Sequence, residues 1–252
     1  INFQSEGNGI NTTRSGFTGG SVTLRHTGTV LIQNGGVGTG GGDFACTHAS
    51  STTIQGGGVY TSGGNFQSAG SGLFSSSGNG LQLGAAASVC IVHNGISITQ
   101  GGMQGTNSAA NILLQAGNNP VILENLLLRG SLKVRGGATT LSAGGITSNG
   151  GPLQVDIKSL STITIDNQLL SGGGNISLQA LGNITLMNSN TALRSIGGSI
   201  SLTSKTGIVS NGTAGNGGGI SSAPGSGGVL TQIGGSITLA QPPVVGAGNI
   251  TL

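Results

Sequence analysis

The chain has 252 residues, of which 53 are glycine, 5% are charged and 2% are aromatic, with a formal net charge of +3. Average soluble chains are about 25% charged and about 7% glycine. The eight basic residues are scattered, which argues against the clustered cationic face of a nucleic-acid binder, and no apolar run of about eighteen residues is present to span a membrane. Glycine does not recur at every third position and Pro numbers only five, so collagen is excluded. Ile, Leu and Val recur too regularly for a disordered chain.

In chain order, the predicted elements are short strands of period two. "GGSVTL" (19–24) and "GTVLIQ" (28–33) open the series, each with an inward aliphatic, an outward hydroxyl or amide and a second aliphatic. Residues 34–90 are glycine-rich and carry Phe44, Tyr60, Phe66 and Phe74, and here longer loops are expected on a surviving β core. "GISITQ" (95–100) resumes the pattern. "NPVILENLLLRGSLKVR" (119–135) reads as strands broken at Gly130. "STITID" (161–166), "GGSISL" (197–202), "GGSITL" (234–239) and "GNITL" (248–252) complete it.

The phrases come in pairs eight residues apart: Val22 with Val30, Val155 with Ile163, Ile176 with Ile184, and Ile200 with Ile208. From pair to pair the step is 21 residues (Val155 to Ile176) and then 24 (Ile176 to Ile200). Such a period describes a coil of about 20–25 residues in which two strands meet at a tight corner and a longer return loop closes the turn. Stacked coils would align the aliphatics into inward ladders, with Gly and Asn at corners that need a positive φ. Helix signals are missing. The expected fold is an all-β solenoid forming one elongated domain over residues 1–252, with 34–90 its irregular, loop-rich part. The chain is expected to be a segment of a larger secreted protein.

The "GG-N/S-I-S/T-L" phrases and "GNITL" echoes, over 19–33 and 95–252, resemble the filamentous haemagglutinin-type exoproteins of two-partner secretion. That resemblance implies a right-handed parallel β-helix, secreted by a Gram-negative bacterium and associated with the cell surface. Asn119-Pro120 is the only Asn-Pro here and lacks the pattern of the family's secretion domain, so the segment would belong to the rod.

Candidate chemistry is sparse. The acidic residues are Glu6, Asp43, Glu124, Asp156 and Asp166. Asp156 and Asp166 could share a coil, but they read as two solvated carboxylates without the His or Arg that acid–base work requires. "GVGTGG" (36–41) matches a dinucleotide-binding spelling, yet no helix follows it to hold a pyrophosphate. Cys46, His48, Cys90 and His93 would suffice in number for zinc. Strand alternation, however, puts Cys46 and His48 on one side and sends Cys90 and His93 to opposite sides, so no metal and no cofactor are expected.

In a secreted chain Cys46 and Cys90 could form a disulfide. Their spacing of two coils would hold them about 9–10 Å apart, too far for a direct bridge. A bridge needs the irregular stretch to count as one enlarged coil; otherwise the cysteines are separate thiols. Arg129, Lys133 and Arg135 form the one basic cluster. It is suited to polyanionic glycans or, more simply, to protecting an exposed surface from aggregation.

The expected function is a non-catalytic extracellular rod or fibre subunit that self-associates, adheres or builds a surface sheath. A carbohydrate-binding adhesin is the alternative, and it would need a regular outward ladder of Thr or aromatic residues. The outward Thr residues read as alternating with Ser, Gln and Asn. A polysaccharide lyase or hydrolase comes third, with no residues nominated.

Overall fold

The computed structural model describes residues 19–207 apart from 35, 85–86, 106–109, 188–191 and 196–197. It also describes the strands Asn2–Gln4, Ile10–Asn11, Val209–Ser210, Ile220–Ser221, Gly228–Gln232 and Ile237–Thr238. Among the described residues there is no helix, and none therefore long and apolar enough to cross a membrane. The strands pair in parallel from coil to coil, giving a β-solenoid of about eight turns.

Each coil contributes three strands. The first sheet stacks Val22–Arg25, Phe44–Ala49, Phe66–Gly70, Ser88–Val92 and Ala110–Gln115, and later Ile176–Ala180 and Ile200–Ser204. The second stacks Thr29–Gln33, Ser51–Gln55, Phe74–Ser77 and Ile96–Thr99, and later Ile163–Ile165 and Ile184–Leu186. The third is shorter: Val37–Gly38, Val59–Thr61, Leu81–Leu83 and Met103–Gly105, and later Leu169–Leu170 and Leu193–Arg194. Two long strands, Val121–Gly136 and Thr139–Ser159, pass through all three sheets. The first of them bends at Gly130, as the sequence indicates, and also at Asn125, where the backbone is left-handed (φ 99° and 49°).

The third sheet corrects the expected return loop. Residues such as Val59, Leu81 and Met103 are fully buried and stack in register, so the return path is itself paired. The expectation for 34–90 is corrected too. Its second-sheet strands keep a constant register, Thr29↔Ser51, Thr52↔Phe74 and Phe74↔Ile96, and their side-chain hydrogen bonds between neighbouring coils span 22 residues. Glycine there sits at the corners, while Phe44, Phe66 and Phe74 face inward and fill the interior that aliphatics fill elsewhere. Phe44 stacks on Phe66 at 5.2 Å, and Phe66 meets Phe74 edge-on at 6.2 Å. Tyr60 alone of these aromatics points out, 42% exposed.

The inward phase of the described phrases is as read; "GNITL" (248–252) and most of "GGSITL" (234–239) lie outside the described residues. Val155, Ile176 and Ile200 form one buried column, with Asp156, Ser177 and Ser201 beside them on the outer side. Ile208 lies outside the described residues; Val209 takes the buried position and pairs with Ile184.

The opening of each phrase, Gly followed by Asn, Ser or Asp, has a steric and a polar cause. A Cβ on Gly64 would lie 1.9 Å from the carbonyl oxygen of Gly42, and one on Gly198 would lie 2.1 Å from that of Gly174. Neither position has a left-handed φ, so glycine is required there by the close approach of the neighbouring coil. The next residue caps the coil beyond it. The Asn65 N–H donates to Asp43 Oδ1 (2.8 Å), the Ser88 N–H to Asn65 Oδ1 (3.0 Å) and the Ser199 N–H to Asn175 Oδ1 (2.8 Å). At the corner between the second and third sheets the reason changes. Asn34, Gly56, Gly78 and Gln100 succeed one another with φ of 56°, 58°, 56° and 52°, the left-handed conformation that favours Gly and Asn.

These two causes separate under mutation. Gly64→Ala is expected to cost ~3 kcal/mol or to prevent folding, because backbone cannot yield as a flexible side chain can. Gly57→Ala, at φ 71° with no atom within 4 Å of the new Cβ, is expected to cost only ~1 kcal/mol of backbone strain. Urea unfolding of both variants measures the difference. Ile200→Asp places an unpaired carboxylate in the interior and is expected to cost ~4 kcal/mol or more, whereas Ser201→Asp faces outward and should lie within about 0.5 kcal/mol of the parent. Equal losses would contradict the strand phase.

Candidate functional site

Parallel stacking turns every outward position of a strand into a column along the rod, so the surface is best described column by column. On the first sheet one column runs Leu113, Lys133, Asp156, Ser177, and its neighbour runs Gln115, Arg135, Lys158, Gln179. Lys133 is exposed. Arg135 is not a free cation: its Nη2 pairs with Asp156 Oδ2, and its Nη1 donates to the carbonyls of Val134 (2.8 Å) and Asp156 (2.9 Å). Arg129 lies apart, at the corner before this sheet and against Gly151. The three sequence-nominated cations therefore do not form a single open patch.

Asp156 accordingly gains the arginine partner that its own stretch of sequence lacks, supplied by the preceding coil, and the reading of it as a free solvated carboxylate is corrected. Asp166 stays exposed beyond the end of Ile163–Ile165. Asp43 belongs to the corner ladder, and Glu124 Oε1 accepts from Ser142 Oγ at 2.7 Å.

Cys46 and Cys90 are separate free thiols. Cys46 lies in the inward column Leu24, Cys46, Ser68, Ile91, while Cys90 lies in the outward column Ala45, Gln67, Cys90. They point to opposite sides of one sheet. Burial raises the Cys46 thiol pKa, its weak contact with Thr52 Oγ1 (3.8 Å) opposing in part. The expectation that Cys46 and His48 face the same way is corrected: His48 sits in a β-bulge at φ 66° and turns outward. Cys90 and His93 do face opposite ways, as alternation requires. Among the described residues no group of three or more His, Cys, Asp or Glu is arranged to hold a metal ion.

The coil period brings together what the sequence separates. His26, His48 and His93 all fall at the corner between the first and second sheets, at the ends of the strands that pair Arg25↔Thr47 and Ala69↔Val92. Arg25, His26, Thr27 and His48 line a shallow hollow of about 410 Å³, continuous with one of about 630 Å³ over Thr47, Ala69 and Gly70. The spacing of His26 and His48, one coil apart, is the signal that could have been read. His93 lies beneath this surface, 2% exposed. Its Nδ1 donates to the Gly72 carbonyl (3.3 Å), which leaves Nε2 to accept from Ser68 Oγ (2.9 Å), and its ring stands 5.6 Å from Phe74.

The second sheet sorts the hydroxyls. Its central outward column runs Leu31, Thr53, Ser75, Ser97, Ile122, Thr140, Thr164, Thr185. Gln33 and Gln55 occupy a separate column, joined by a 2.7 Å amide hydrogen bond. Hydroxyls thus hold six of the eight positions in this column, and Leu31 and Ile122 hold the other two. With this geometry in place, comparison with protein families, with curated proteins and with solved structures finds no match to the chain.

His93 makes stability pH-dependent. Burial lowers its pKa below the ordinary histidine value, and the Gly72 hydrogen bond only partly opposes this. The unfolded chain therefore takes up a proton before the folded one does. Stability from this group is full above about pH 6.5 and is lost as pH falls toward the folded value. A melting temperature that declines from about pH 7 to about pH 5, with a flatter decline in His93→Gln, is the expected result.

Proposed function

We propose that the chain is a non-catalytic rod, a structural segment of an extracellular fibre or surface layer that self-associates. The observation that carries this reading is the continuity of the stack. Buried columns such as Val155, Ile176, Ile200 run unbroken from coil to coil, and successive coils bond to one another along three sheets. The charges serve the same end: Asp43 caps a neighbouring coil, Glu124 accepts from Ser142, and Asp156 binds Arg135. These carboxylates are engaged in holding coils together, not gathered for acid–base chemistry. The resemblance to filamentous haemagglutinin-type exoproteins supports a secreted, cell-surface location in a Gram-negative bacterium, with adhesion as the accompanying role.

One observation favours a second reading, a carbohydrate-binding adhesin module. The outward column carries hydroxyls at Thr53, Ser75, Ser97, Thr140, Thr164 and Thr185, interrupted by Ile122 between Ser97 and Thr140, and hydroxyls at strand spacing can exchange hydrogen bonds with a polysaccharide laid across them.

Negative-stain electron microscopy and sedimentation of the purified chain test both readings. The rod reading expects concentration-dependent filaments or bundles near physiological salt, and no reducing-sugar or unsaturated product from polygalacturonate. A monomer that binds neutral glycan would favour the adhesin, and a monomer that cleaves glycan would defeat both.

A further inference from the structure

Two features on the same coils complement each other. At the corner between the first and second sheets, Leu160 and Leu181 are 58% and 46% exposed. They occupy successive coils, one position beyond the pair Ser159↔Ala180. With Lys158, Gln179 and Lys205 they line a hollow of about 200 Å³. Its only charged residues are the two lysines, both exposed, and no acidic residue lines it. Drug-sized ligand sites run to about 300–1,000 Å³, so the hollow suits a single side chain better than a small molecule.

At the next corner, beyond the second sheet, the same coils present the counterpart. Met187 is 53% exposed and Asp166 is exposed. They follow the strands that pair Ile165↔Leu186, and their N–H groups donate to Leu141 and Ile165, so they stand one strand spacing apart on a ridge. Asp166 makes no ion pair among the described residues. An exposed thioether beside a carboxylate is thus matched by a leucine-lined hollow beside two ammonium groups.

We propose that this hollow receives the Asp166–Met187 ridge of a second copy of the chain. Met187 packs against Leu160 and Leu181, and Asp166 pairs with Lys158 or Lys205. A flexible thioether suits an irregular apolar hollow, and the charge pair sets register and excludes like-charged approaches. Ridge and hollow lie at different corners, so the contact does not close on itself, and each rod offers a free half to the next. The result is lateral bundling. This inference rests on the self-association proposed above and names its surface.

The test uses two charge-reversed variants of the full chain, Asp166→Lys and the double variant Lys158→Asp with Lys205→Asp, followed by sedimentation velocity. All the changes lie on exposed residues, and unchanged circular dichroism checks folding. Each variant alone is expected to associate about tenfold more weakly or worse, because like charges then meet. An equimolar mixture should regain the parent's association, since each ridge again faces an oppositely charged hollow. If the parent associates and both variants associate equally well, this surface is wrong while self-association stands. If the parent stays monomeric, self-association and this contact fail together. If the parent stays monomeric and binds vesicles of anionic phospholipid, and Leu160→Ser with Lys205→Asp abolishes that binding, the hollow belongs to a lipid and the proposal is overturned.

Discussion

Every coil of this protein must approach the next to one strand spacing, ~4.8 Å, along three sheets and through the corners that join them. Between sheets the constraint is met by ordinary parallel pairing. At corners it is met by removing side chains, because a Cβ at Gly64, Gly174 or Gly198 would collide with the carbonyl of the coil beside it. Much of the composition follows. Aliphatics fill the interior, small hydroxyl residues cover the outside, and glycine occupies points where no other residue fits.

That constraint also explains the scarcity of charge. A column sets each outward residue one strand spacing from its counterparts on the next coils, where like charges would repel. Where Arg135 and Lys158 do stack in register, Asp156 binds Arg135 and also neighbours Lys133, placing an opposite charge beside them. Polar ladders of Asn, Asp and Ser bind successive coils without adding a net column of charge, apart from Asp43.

The interior is not uniform. Near the N-terminal end of the described residues, Phe44, Phe66 and Phe74 stack where aliphatics stand elsewhere, and His93 with Ser68 makes a closed polar pair among them. The ring is neutral, with one nitrogen donating and the other accepting, so both partners are satisfied without a buried charge. Toward the other end, Leu160, Leu181 and Met187 are exposed, as Tyr60 and Leu73 are nearer the aromatic stretch. The described interior is therefore differentiated along its length, aromatic near Phe44, Phe66 and Phe74 and aliphatic around Val155, Ile176 and Ile200.

The sequence by itself determined the fold class, the inward phase of Val155, Ile176 and Ile200, and the coil period, because period-two alternation and a recurrent Gly-Asn/Ser phrase are local signals. It did not disclose the third strand, whose two- or three-residue stretches such as Val59–Thr61 are too short to show alternation. It misjudged 34–90, where glycine-rich spelling resembles a loop until register shows the glycines stacked at corners. Which side chains meet was decided only by the tertiary structure, since one coil separates neighbours by anything from 18 residues (Val121↔Thr139) to 29 (Asn2↔Leu31), and a single bulge reverses a face. Arg135 on Asp156, His48 turned outward, and Cys46 and Cys90 on opposite sides of a sheet all depend on that register. Pairing between coils is a long-range property, set by how each turn of chain settles on the last.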